Sequence, residues 1–95
     1  MRLRWTVPAR MDLRRIDAWL VMQATPEVAE RTLSAIAERA SFLVDFPRGG
    51  RPIGSLDCRV LRVHGTPYLI AYRIEGELVD VLRIVHERED WRLPS

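Results

Sequence analysis

Two runs of β-forming residues, Tyr68 to Ile74 and Leu78 to His86, stand on either side of the turn Glu75-Gly76-Glu77. Aromatic and β-branched side chains fill both runs, and a connection this short leaves the second no choice but to return antiparallel beside the first. The chain is therefore committed to a sheet. The second run ends in the charged cluster Glu87-Arg88-Glu89-Asp90-Trp91, where a small domain would place a working surface. Everything upstream has to cover or extend this hairpin.

Residues Arg2 to Val7 alternate Leu3, Trp5 and Val7 with Arg2, Arg4 and Thr6, the period of a half-buried strand that Pro8 stops. From Pro8 to Gln23, Ala9, Leu13, Ile16 and Leu20 recur on one helical face, with Arg10, Arg14 and Asp17 opposite. Thr25-Pro26-Glu27 supplies a capping hydroxyl, a first-turn proline and an acid at the positive end of the helix dipole, so a second helix starts at Pro26. Ala29, Leu33, Ile36, Ala40 and Leu43 repeat the apolar spacing, and the short link between the two helices predicts an antiparallel helical hairpin. The second helix ends at or before Phe46, in the loop Phe46-Pro47-Arg48-Gly49-Gly50-Arg51-Pro52. A further strand is expected from Arg59 to His64.

The expected architecture is α+β, in the order β-α-α-β-β-β. A helical hairpin packs on one face of a small, mostly antiparallel sheet, and the other face is left to water or a partner. With 95 residues, 47% hydrophobic and 29% charged, the chain makes one domain, residues 1–95, with no room for a second.

All 15 basic residues are Arg. Guanidinium forks suit phosphate and carboxylate partners, although an all-Arg complement also follows from a GC-rich coding sequence. A net charge of only +2 argues against indiscriminate nucleic-acid binding. Cys58, the single cysteine, can close no intrachain disulfide and has no companions for a metal site, which fits a reducing compartment. Charged residues interrupt every apolar stretch before it reaches membrane-spanning length, so a cytoplasmic location and no membrane partner are expected. Gly49-Gly50 lacks the Lys and Ser/Thr of a phosphate loop, and no nucleophilic triad assembles. No cofactor or metal is expected.

In this order of elements, the Phe46-Pro47 and Gly50-Arg51-Pro52 loop, the strand Tyr68-Leu69-Ile70-Ala71-Tyr72-Arg73, and Leu82-Arg83-Ile84-Val85-His86 followed by Arg88, Asp90 and Trp91 resemble the RelE/ParE superfamily of type II toxin-antitoxin toxins. The ParE branch is the nearer one. The Asp12 to Leu20 helix is similar to the family's first helix. The resemblance implies a toxin silenced by a cognate, ParD-like antitoxin, which wraps the toxin with its C-terminal segment and binds operator DNA with its N-terminal part. The toxin itself would meet DNA only through the antitoxin. Within the family, ParE-like members poison DNA gyrase and RelE-like members cleave mRNA on the ribosome.

The leading expectation is a gyrase inhibitor with no chemistry of its own. Arg73, Arg83, Arg88, Asp90 and Trp91 are the candidates for target or antitoxin contact, with Arg88 and Trp91 preferred because the resemblance places inhibitory determinants near the C-terminal end. The alternative is a ribosome-dependent endoribonuclease. RNA cleavage needs a base, an acid and cations on the phosphorane, for which the chain offers His86 with Arg59, Arg62, Arg73 and Arg83. A regular last strand would put Arg83 with Val79, Val81 and Val85, and His86 with Leu82 and Ile84 on the other face. A further alternative is a weakly toxic family member acting mainly as corepressor of its operon. Arg83, in an apolar strand, needs a carboxylate or carbonyl partner, for which Asp80, Asp90 or an antitoxin carboxylate are the candidates. Tyr68 and Tyr72 share a face with Ile70 and Ile74 and are expected to pack in the core.

Overall fold

The computed structural model describes residues 1–54 and 57–89. β1 (Arg2–Trp5) leads into α1 (Val7–Gln23) and α2 (Pro26–Asp45), followed by β2 (Arg51–Pro52), β3 (Cys58–Arg62), β4 (Tyr68–Glu75) and β5 (Leu78–His86). The strands form one sheet in the order β1-β5-β4-β3-β2. β1 pairs parallel with β5, and every other pair is antiparallel. The two helices lie on one face, and the core between the layers holds Ala9, Ile16 and Leu20 of α1, Ile36, Ala40 and Leu43 of α2, and Ile70, Tyr72, Val79, Val81 and Ile84 of the sheet.

The first strand stops earlier than its alternation suggests. Thr6 leaves the sheet to cap α1, its hydroxyl accepting from the Ala9 amide at 3.3 Å and donating to the Val81 carbonyl at 2.7 Å. Val7 is thus the first helical residue and not the last of the strand. Thr25 caps α2 as the sequence indicates, accepting from the Val28 amide at 3.1 Å. The loop after α2 contains a strand that the sequence does not reveal. Arg51 and Pro52 pair with Val60 and Arg59, and a two-residue edge strand ending in proline carries almost no β signal. β3 starts at Cys58 and ends at Arg62, because Gly65 and Thr66 turn the chain and the Val63 amide already bonds back to the Tyr68 carbonyl at 3.0 Å.

β5 is not regular. Ala71 pairs with Arg83 but Tyr72 pairs with Val81, so Leu82 is an extra residue, a bulge that reverses the alternation beyond it. Val79 and Val81 therefore share the helix-covered face with Ile84, and not with Arg83 as strict alternation would have it. The second face is not left open in its centre either. Cys58, Val60, Ala71 and Val85 are buried there, rimmed by the long stems of arginines at neighbouring register positions.

Candidate functional site

Beyond Trp5, β1 no longer covers the edge of β5, and α1 takes over that task. Asp12, on the inner side of α1, is 1% exposed. One carboxylate oxygen accepts from the Ile84 amide at 2.9 Å and from Arg83 Nε at 2.7 Å, and the other accepts from Arg83 Nη2 at 3.0 Å and Arg15 Nη2 at 2.9 Å. Burial pushes the Asp12 carboxyl up, but the bonds from Arg83, Ile84 and Arg15 outweigh it and hold the group below the ordinary carboxylate value. Asp12 raises the Arg83 guanidinium in turn. Among the described residues Asp12, and not Asp80, answers the need of Arg83 for a partner; Asp90 lies outside them. Asp80 is itself buried and is held by Arg4, through Nε at 2.7 Å and Nη2 at 2.9 Å.

Next to this cluster, at the end of β5, Arg15, Ile16, Trp19, Tyr68, His86 and Glu89 line a hollow of about 240 Å³. The His86 ring stands edge-on to Tyr68, with centroids 5.6 Å apart. Its Nδ1 accepts from the Arg88 amide at 3.1 Å, while a Glu89 carboxylate oxygen accepts from the His86 amide at 2.9 Å. The neutral ring therefore carries its proton on Nε2. With that lone pair engaged inside the turn, His86 as it stands is better placed to donate a hydrogen bond than to abstract a proton. Burial, with Glu89 adding to it, raises the Tyr68 phenol.

The remaining arginines are dispersed. Arg59 donates to the carbonyls of Gly50 at 2.7 Å and Arg48 at 3.2 Å, and so holds the loop after α2. Tyr72 holds the same loop from the core, its hydroxyl donating to the Pro47 carbonyl and accepting from the Gly50 amide, both at 2.8 Å. A Cβ on Gly50 would lie 2.6 Å from that hydroxyl and 2.8 Å from the Val60 carbonyl, so the clamp requires glycine. Arg62 pairs with Glu87 at 3.0 Å. Arg73 reaches Glu75 at 3.4 Å, and its buried Nε has no hydrogen-bond partner among the described residues. Arg83 is in register with Ala71 and His86 with Tyr68, so the two positions alternate to opposite faces, but the Arg83 guanidinium turns to Asp12, beside the hollow that His86 and Glu89 line, and feels the Glu89 carboxylate. Arg88 is exposed, and Asp90 and Trp91 lie outside the described residues.

Asp12 is the residue that sequence reasoning missed. Its position four before Ile16 on the apolar side of α1 was the available signal, because an acid there must be paired when the helix packs. Among the described residues no group of three His, Cys, Asp or Glu could hold a metal ion, and no helix is long and apolar enough to cross a membrane.

Comparison with known proteins places these features in a lineage. Residues 3–91 match the family model for the ParE toxin of the type II toxin-antitoxin system parDE. The chain is 32% identical to the toxin-designated protein Y4kP of Sinorhizobium fredii, over 95% of this chain and 92% of the relative. It is also 32% identical to toxin RelE1 of Caulobacter vibrioides, over 88% of this chain and 90% of the relative. Among solved structures, a chain of the chromosomal ParDE system of P. aeruginosa superposes with a TM-score of 0.81 at 31% identity, covering 90% of this chain and 95% of that one. A chain of the RelBE2 toxin-antitoxin complex of Mycobacterium tuberculosis superposes with a TM-score of 0.67 at 31% identity, with the same coverage.

Proposed function

Because the chain belongs to the ParE toxin family of type II toxin-antitoxin systems, we propose that it inhibits DNA gyrase by binding and is neutralised by a ParD-like antitoxin. The observation that carries this reading is the state of the groups a nuclease would need. Arg59, Arg62, Arg73 and Arg83 point to separate places and three of them are tied to loop or helix, while the His86 lone pair is occupied by the Arg88 amide. Such an arrangement suits a toxin whose effect comes from occupying a surface and not from moving protons.

The contact residues for target and antitoxin are assigned to the C-terminal side of the domain: Arg73, Arg83, Arg88, Asp90 and Trp91. Of these, Arg73 and Arg88 are the clean probes. Arg83 also neutralises a buried carboxylate, so removing it disturbs folding together with binding. Antitoxin capture would combine acidic groups for the guanidinium rim with apolar anchors, and operator DNA would be reached through the antitoxin.

The test is a plasmid supercoiling assay with purified toxin and gyrase, scoring cleavage complexes, with the cognate antitoxin as control. Inhibition that the antitoxin reverses is the expected result, and Arg88→Ala lowers it. Folded toxin without effect on gyrase defeats the proposal.

A second reading, a ribosome-dependent mRNA endoribonuclease, has its own support. Two of the relatives carry RelE or RelBE names, and the hollow gathers His86, Glu89, Tyr68 and Arg15. It requires cleavage of translated mRNA that His86→Ala abolishes with the fold retained. A chain that inhibits neither target and fails to arrest growth would instead act as corepressor of its operon.

A further inference from the structure

α1 has two apolar faces, and the sheet covers only one of them. Val7, Met11 and Met22 are 56%, 59% and 80% exposed, and Ala18 is exposed between them. At 3.6 residues per turn these four fall in one narrow stripe, on the opposite side of the helix from the buried Ala9, Ile16 and Leu20. Among the described residues, Val7, Met11, Trp19, Val21 and Met22 make α1 the main carrier of exposed large hydrophobic side chains.

The stripe is self-complementary. A twofold axis perpendicular to α1, passing between Arg14 and Arg15, sets Val7 opposite the partner's Met22 and Met11 opposite the partner's Ala18, each large side chain meeting a gap or a smaller one. In such an antiparallel pair each flank of the helix meets the same flank of its mate. One flank carries Arg10, Arg14 and Asp17. The axis brings the partner's Asp17 between Arg10 and Arg14, twice by symmetry.

We infer that the outer face of α1 is a homotypic docking surface, on which two copies of this chain pair antiparallel through Val7, Met11, Ala18 and Met22 with Asp17 of each copy received by Arg10 and Arg14 of the other. A uniformly basic flank would have called for an acidic partner. The acid placed among the arginines makes the flank complementary to itself. Arg15 does not disturb this balance, since its guanidinium is committed to Asp12. Arg14 stands beside the axis, where its stem covers apolar surface while its guanidinium turns to the partner's Asp17. One helix of 17 residues offers less than a standard interface, so the dimer is weak and concentration-dependent.

Sedimentation equilibrium on the purified full chain tests this, over a range rising to on the order of 100 µM, where a weak interface of this kind is populated. A reversible monomer-dimer equilibrium is expected. Met11→Glu, Arg10→Asp and Asp17→Arg should each raise the dimer dissociation constant about tenfold or more, with circular dichroism unchanged because all three positions are exposed. The full reversal Arg10→Asp and Arg14→Asp with Asp17→Arg should restore association, since it returns the same ion pairs with their signs reversed. A monomer throughout the range, a dimer indifferent to Met11→Glu, or a full reversal no stronger than the single exchanges overturns the inference.

Discussion

A carboxylate with 1% exposure is tolerated at Asp12 because three residues donate to it, one of them a backbone amide that β1 is too short to satisfy. Replacing Asp12 by Ala leaves the Ile84 amide and the Arg83 guanidinium without their acceptor, and the expected loss is about 3 kcal/mol or more. Urea denaturation measures it directly. Protonation has the same consequence by degrees. The folded Asp12 is held below its ordinary value of 3.8, so its contribution is complete above that pH and disappears as pH falls through the lower folded value. The melting temperature of the wild type should therefore fall more steeply with acid than that of Asp12→Asn, which has no proton to take up. Tyr72 is the other residue on which a segment depends. Tyr72→Phe removes both bonds to the loop after α2, at an expected cost of about 1–3 kcal/mol, and Gly50→Ala forces a Cβ against the Tyr72 hydroxyl and the Val60 carbonyl for about as much.

At the scale of elements, sequence patterns succeed where the cause is local. The Thr25-Pro26 start of α2, the spacing of Ala29, Leu33, Ile36, Ala40 and Leu43, and both ends of β5 are written in neighbouring residues, and the structure has them where expected. Patterns fail where the cause comes from another part of the chain. β1 ends at Trp5 because the Thr6 hydroxyl finds the Val81 and Leu82 carbonyls, β2 exists only by virtue of β3, and the bulge at Leu82 is a matter of register between β4 and β5. The candidate site shows the same division. That Arg83 needs a carboxylate or carbonyl partner was legible from its apolar strand, but which group it is was not, because Asp12 lies 71 positions away in sequence. Thr6→Val keeps the shape and removes a cap and a strand contact together. A loss of about 1–2 kcal/mol, read from thermal unfolding, is expected if both contribute.

For the whole molecule, the parallel pair β1-β5 ties the first of the described strands to the last of them. The capping hydroxyl of Thr6 and the carboxylate of Asp12 find their partners on β5 as well, so α1 is fixed at both its start and its middle by the last of the described strands. A chain lacking residues from Leu78 onward should show no cooperative thermal transition, whereas the full chain should melt in one step. Contacts of this range form slowly, because the loop between them must close before they reward the closure. During synthesis the consequence is one of timing. A nascent chain can have made both helices and most of the sheet's residues and still own no domain, and a ribosome that stops early releases a product without the toxin's fold.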